Sequence, residues 1–298
     1  MSFSFTSDAH CLLCPRKCGA DRTKGVGTCG CDSQITVAKA MIHRWEEPCI
    51  SGNDPQRGAG AVFFSGCPLG CVYCQNMDIS RGGVGRVYSV EALAELFDDL
   101  ADRDAYNIDL VSPTQYLPGI VAALRMRKSK LPAVFNTGGY ERPESIEALR
   151  GTADIFLTDF KYGSADIAAK YSRAPDYVQT ARAALRVMTE VCGPPEYDKD
   201  GIMQKGVIVR HLVLPGCRHD SVRVLERIAE TVDPENVMLS LMSQYTPGFA
   251  SPSFKELDRR VTTFEYEYVR KAALDMGFSG YGQDVSSAKK SYTPDFLT

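Results

Sequence analysis

Beyond residue 59 the chain alternates short apolar runs with amphipathic segments, and this alternation limits the fold more than any other feature of the 298 residues. The apolar runs fall at 60–65, 108–112, 132–136, 154–159, 207–214 and 236–242. The first five are weighted towards β-branched and aromatic residues, as strands buried on both faces of a parallel sheet are. Between the runs, helical spacing is found over 89–103, 116–129, 143–150, 176–192, 219–232 and 255–276. In the first of these, Ser89 can cap the end, while Val90, Leu93, Leu96, Phe97 and Leu100 repeat on one face. Strand and helix in this order predict an α/β fold with a parallel sheet. Periodicity does not separate a barrel from an open doubly wound sheet. The polar stretch 193–206 predicts a surface loop or flap.

Residues 1–58 are different. They are rich in Cys, Gly and Arg and show little apolar periodicity, so a Cys-rich N-terminal extension (1–58) is expected before a core of 59–298 ending in a helix and tail. A formal net charge of −3 gives no electrostatic case for nucleic acid or an anionic membrane surface as partner. No run approaches the roughly 18 apolar residues of a membrane span. Residues 1–8 lack the basic and apolar regions of a secretory leader. A cytoplasmic protein is therefore expected.

Eleven cysteines are many for a reducing compartment, and an odd number argues against a fully paired disulfide framework. Eight are clustered: Cys11, Cys14, Cys18, Cys29 and Cys31, then Cys67, Cys71 and Cys74. Clustered thiols in such a chain read as metal ligands. Cys49 and Cys192 read as ordinary thiols, and Cys217 also does, although it follows a strand end.

The second cluster lies directly after the first apolar run, in the order C-x3-C-x2-C, with Gly66, Pro68 and Gly70 interleaved. Such a loop can curl and aim three sulfurs at one region. Three thiolates leave one iron of a four-iron four-sulfur cube without a protein ligand, open to a small molecule. A three-ligand zinc site or unliganded thiols are the alternatives.

This motif, with Tyr73 before its last Cys, resembles the signature of the radical S-adenosylmethionine (SAM) superfamily. Cys74-Gln75-Asn76 is similar to the pyruvate formate-lyase activating-enzyme branch. Agreement with the PflX-like subgroup of that branch covers nearly the whole chain: Cys11 to Cys18, Glu46-Glu47-Pro48, Val111 to Tyr116, Asn136 to Glu141, Asp159 to Tyr162, Arg210 to Gly216 and Met242 to Pro247. The resemblance implies a partial (β/α)6 barrel in which Cys67, Cys71 and Cys74 hold a catalytic 4Fe-4S cluster. SAM would bind its open iron, and its reductive cleavage would give a 5′-deoxyadenosyl radical for hydrogen abstraction. A one-electron donor such as flavodoxin or ferredoxin is implied, and the substrate is either a glycyl-radical enzyme or, as the alternative, a small molecule or peptide.

Parallel barrels gather their active sites at the C-terminal strand ends. The polar residues there are Ser112, Thr114, Asn136, Thr137, Asp159, Lys161, His211 and Gln244. The resemblance makes Lys161 a partner for the SAM carboxylate, with Asp159 orienting it, and puts Tyr73 and Asn76 at SAM beside the cluster. The branch's Gly-Gly-Glu element, which receives the SAM amino group, is Ser112-Pro113-Thr114 here. His211 lies inside its strand, facing either the interior or the helices.

Cys11, Cys14, Cys18 and Cys29 can complete a coordination shell, so a second site is expected there, structural zinc or an auxiliary iron–sulfur cluster. Cys31 is an alternative to Cys29. Two further readings compete with a radical enzyme: a zinc-stabilised binding protein without redox chemistry, and a scaffold that keeps the cluster but has lost turnover.

Overall fold

The computed structural model describes residues 8–249 and 253–282. Most of the segment inspected for a leader, and the tail beyond 282, lie outside them. The strands are β1 (Ile35–His43), β2 (Gly58–Phe64), β3 (Arg86–Tyr88), β4 (Ala105–Val111), β5 (Ala133–Thr137), β6 (Ile155–Asp159), β7 (Glu196–Tyr197), β8 (Met203–Leu212), β9 (Met238–Met242) and β10 (Gly280–Gly282). They form one sheet in the order β10-β9-β8-β6-β5-β4-β2-β1-β3, with β7 attached to β8. From β2 to β10 every step along this path is parallel, and β1 and β3 extend it in antiparallel fashion. Among the described residues β3 pairs only with β1 and β10 only with β9, so the sheet is an open, partial barrel.

The six apolar runs are β2, β4, β5, β6, β8 and β9, and each is followed by helix. Val90–Asp102 starts as its sequence predicts: the Ser89 hydroxyl accepts from the Ala92 N–H at 3.2 Å, and Leu93, Ala94, Phe97 and Leu100 are buried. Leu117–Met126, Pro143–Glu147, Tyr177–Cys192 and Arg218–Ala229 cover the next four crossovers. The expected helix 255–276 is shorter. A 3-10 turn occupies Lys255–Leu257, and the helix runs Thr263–Asp275, because Thr262 and Glu265 form a reciprocal capping box that fixes its start. The expected loop 193–206 is partly strand. Glu196–Tyr197 pairs antiparallel with Met203–Lys205, so β8 begins four residues before its apolar run. β1 comes from the Cys-rich stretch and hydrogen-bonds to β2 across the expected boundary at 58.

The pleat sorts side chains by alternation. Ile155, Leu157 and Asp159 share one face of β6, and the register pairs Leu157 with Ile208 and Asp159 with Arg210. It likewise aligns Asn136 with Val111, and Arg210 with Ser240. The interior therefore has two layers. Ala59, Val134, Ile155, Leu157 and Ile208 plug the lower end, packed with Cys49 and Ile50. Burying each of the larger of these side chains contributes roughly 1.5–3 kcal/mol. Asp109, Asn136, Asp159, Arg210 and Ser240 lie above them, towards the C-terminal strand ends.

The turn after β5 depends on Gly139, at φ +75°, where an added Cβ would lie 2.0 Å from the Asp159 carbonyl oxygen and 2.6 Å from Tyr177 Oη. Gly201 has a similar φ of +79° but open space around it. Gly201→Ala should cost only the left-handed penalty of about 1–2 kcal/mol. Gly139→Ala should cost about 3 kcal/mol or more, because strain and clash add. Urea midpoints at constant slope read the difference; equal losses would show that the β5 turn is not so crowded.

Candidate active site

The polypeptide leaving β2 has no slack. Gly66 has φ +82°, and a Cβ there would sit 2.0 Å from Cys31 Sγ and 2.7 Å from the Cys29 carbonyl oxygen. Its N–H donates to the Ile79 carbonyl at 2.7 Å, and the Cys67 N–H donates to the Cys29 carbonyl at 3.2 Å. Gln115 ties the ends of β2 and β4 together, its side-chain amide donating to the carbonyls of Ser65, Gly66 and Ser112 at 2.8–3.0 Å. Arg16 holds the loop from outside through the carbonyls of Pro68 at 3.0 Å and Leu69 at 3.2 Å. Tyr73 is buried and anchors the last turn, edge-on to Tyr162, Tyr171 and Tyr245 at 6.2–6.4 Å.

The outcome is that Cys67, Cys71 and Cys74 all line one cavity of about 400 Å³, within the size range of small-molecule sites. Tyr73, Asn76, Ser112, Asn136, Asp159, Lys161 and Gln244 line it too, as does Thr137. The expected residues that it leaves out are Thr114 and His211. Thr114 is buried one step away, its hydroxyl donating to Glu141 Oε1 at 3.2 Å. His211 is on the opposite face of β8 from Arg210, buried against the helical layer with Nδ1 2.7 Å from the Phe160 carbonyl. Burial holds its imidazole below the ordinary value. It is a core histidine.

Three residues that the strand-end reading passed over complete the wall: His43, Glu46 and Glu47, delivered by the end of β1. Arg210 was also missed, although its alternation with Ile208 and Leu212 would have exposed it once the inward face was known. Its guanidinium is the hub. It donates to Glu46 Oε2 at 2.9 Å, to Asp159 Oδ1 at 3.2 Å and to Asn136 Oδ1 at 2.5 Å. Lys161 Nζ donates to the other Asp159 oxygen at 2.5 Å. Burial would raise the Asp159 pKa, but Lys161 and Arg210 outweigh it and hold the carboxyl below its usual range. Burial wins at Glu46, Glu47 and Asp109, all pushed up. Burial, reinforced by Arg210, lowers His43 to about 4, leaving it neutral near pH 7.

The thiols meet the test for a cluster site. Burial, then the neighbouring Cys71 and Cys74, push Cys67 up to about 12, so three adjacent thiolates are sustainable only beside a positive core. Among the described residues no three His, Cys, Asp or Glu side chains converge to hold a single ion. Ligands that each take a different iron need not converge on one point, and Cys67, Cys71 and Cys74 line the same cavity.

Residues 61–195, from β2 through the cysteine loop to the end of the fourth crossover helix, match the model of the radical SAM superfamily. A domain of the kind this stretch matches implies a 4Fe-4S cluster and SAM. An uncharacterized protein of Methanocaldococcus jannaschii is 26% identical over 275 residues, spanning 88% of this chain and 73% of its own. Among solved structures, a radical SAM methyltransferase from Sphaerobacter thermophilus superposes with TM-score 0.52 at 15% identity, covering 77% of this chain and 67% of its own. Streptococcus suis SuiB, bound to its precursor peptide SuiA, gives TM-score 0.45 at 11% identity over 74% and 48% of the two chains. The methyltransferase likeness shows the fold. Among the described residues no helix is long and apolar enough to cross a membrane.

Glu141 offers a test of this buried polar layer. Burial raises its carboxyl from 4.5 to about 7, against the hydrogen bond from Thr114. The folded chain therefore keeps a proton that the unfolded chain gives up. The resulting stabilisation is complete below about pH 4.5 and is lost as pH rises to about 7. Glu141→Gln should flatten this part of the profile, by up to about 3 kcal/mol, in urea titrations of metal-free protein between pH 4.5 and 8. Parallel profiles for the two proteins would refute the buried, protonated carboxyl.

Proposed function

We propose that this chain is a radical SAM enzyme of the pyruvate formate-lyase activating-enzyme branch and PflX-like subgroup, using Cys67, Cys71 and Cys74 as cluster ligands. The observation that carries the reading is the shared cavity, lined by the three thiols together with a fixed array of charged and amide side chains. Cys67, Cys71 and Cys74 would hold the cluster, which would supply the one electron needed for reductive cleavage of SAM and so for hydrogen abstraction from the substrate. Lys161 pairs with the SAM carboxylate while Asp159, held by Arg210, keeps the ammonium in position. Asn76, Ser112, Asn136 and Gln244 supply hydrogen bonds to the rest of the cofactor, and Tyr73 fixes the loop beside it. Thr114 acts through Glu141, the buried carboxyl nearest the altered Gly-Gly-Glu position. Pro68, Leu69 and the tyrosine cluster around Tyr73 keep water from the loop.

Activation of a glycyl-radical enzyme is the reaction that the branch resemblance supports, with electrons from a flavodoxin or ferredoxin. A zinc-stabilised binding protein without redox chemistry is the competing reading, and it gives no role to the charged and amide side chains that line the same cavity as the thiols. Anaerobically reconstituted protein given dithionite should convert SAM to 5′-deoxyadenosine, and Cys71→Ala should reduce this to background. Parent-level cleavage by the variant would remove Cys71 from the cluster.

A further inference from the structure

The chain leaving β1 spans the gap between the two ends of the sheet before it returns to β2. Glu46 Oε2 accepts from Arg210 on β8 at 2.9 Å, and Cys49 Sγ lies 3.9 Å from Met238 Sδ on β9. Pro48 confines Glu47 to extended backbone, at φ −52° and ψ 144°. The Glu47 carbonyl then accepts from the Ile50 and Ser51 N–H groups at 2.7 and 3.0 Å. The segment Trp45-Glu46-Glu47 is thus held by its own backbone, and it lines the catalytic cavity together with Ser240 and Tyr281.

Charge on this wall does not balance. Glu46 and Asp159 share Arg210, and Lys161 takes the second Asp159 oxygen. Glu47 is left over: among the described residues it enters no ion pair, and its Oε2 is buried without a hydrogen-bond partner. It is 8% exposed and lines the cavity. With Asp109 close by, Glu46, Glu47, Asp109 and Asp159 stand against Arg210 and Lys161. His43, held neutral, brings no further cation. A carboxyl oxygen in that state is costly unless an incoming group satisfies it. Burial pushes the Glu47 carboxyl up, and a cation beside it would offset that cost.

Trp45 is the second indication of a cationic occupant. It lies two residues before Glu47, lines the same cavity and is nevertheless 62% exposed. An indole face together with a carboxylate is a recognition pair for an organic cation. A single open oxygen suits an ammonium, which is a compact point charge, whereas a guanidinium fork calls for two. SAM does not need this wall, because Lys161 and Asp159 are committed to it.

We propose that Trp45 and Glu47 form the substrate subsite of the cavity and bind an alkylammonium group, that of a free amine or of a lysine side chain. That this cation belongs to the substrate rests on the radical SAM reading; that it binds does not. Trp45 is the single tryptophan of the chain, so its emission reads this wall directly. Anaerobically reconstituted protein holding SAM should show a saturable change in that emission with butylammonium and with an end-blocked peptide containing one lysine. Tighter binding of the peptide marks the lysine side chain as the source, and tighter binding of butylammonium marks a free amine. Butanol, of the same length but uncharged, and methylguanidinium should both bind more weakly. Glu47→Gln should weaken butylammonium binding about tenfold or more, through loss of a hydrogen bond to a charged group. Either control binding the parent as tightly as butylammonium would overturn the proposal, and this comparison needs no variant. Unchanged binding by a folded Glu47→Gln would overturn it too. So would displacement of butylammonium by SAM, since SAM would then be the occupant. Protein that binds butylammonium but fails to cleave SAM would sink the enzyme reading and leave the cation site standing.

Discussion

The hydrogen-bonded register of the parallel sheet is the constraint from which the site follows. Side chains alternate across each strand, so a slip of one residue would exchange the inward and outward sets. In the observed register Asp159 sits beside Arg210, and Arg210 beside Ser240, all on the inward face. A one-residue shift of β8 would bury Arg210 among the helices and turn His211 into the cavity. The apolar plug of Val134, Ile155, Leu157 and Ile208 holds this register, because only this pairing puts all four on the closed side.

Above that plug, a guanidinium is surrounded by carboxyl groups with little access to water. Removing such charges from solvent is costly, and the cost is offset only where each finds close partners. Arg210 and Lys161 keep Asp159 ionised, whereas Glu46, Glu47 and Asp109 are pushed towards their neutral forms. The cavity floor is therefore a set of oriented dipoles and one firmly held charge cluster, fixed before any ligand arrives. Preorganised polarity of this kind is what a site for a zwitterionic cofactor needs.

The cysteine loop is built into its surroundings just as tightly. Gly66 admits no side chain because the N-terminal segment presses against it, and Gln115 and Arg16 satisfy the carbonyls that a free loop would leave to water. The Cys-rich segment is thus a supporting wall of the catalytic loop, and its strand β1 also delivers His43, Glu46 and Glu47. Composition sets that stretch apart from the core, but its contacts tie the two together.

The strands and helices of the parallel core were legible in the residues themselves, since burial on both faces imposes apolar runs and one-sided burial imposes helical periodicity. The cysteine loop was legible as well, because thiol spacing with interleaved glycines is a local property. Local hydrogen bonding that the apolar pattern does not register decided the exceptions, the capping box at Thr262 and the hairpin at Met203. Which strand-end residues share a cavity was not local. His211 and Arg210 are adjacent in the chain and equally polar, yet only Arg210 faces inward, since strand pairing selects the face. That Cys29 lines the small N-terminal cavity with Cys11, Cys14 and Cys18, and Cys31 does not, was likewise decided in three dimensions, where the Cys31 thiol lies against the Ser65 carbonyl.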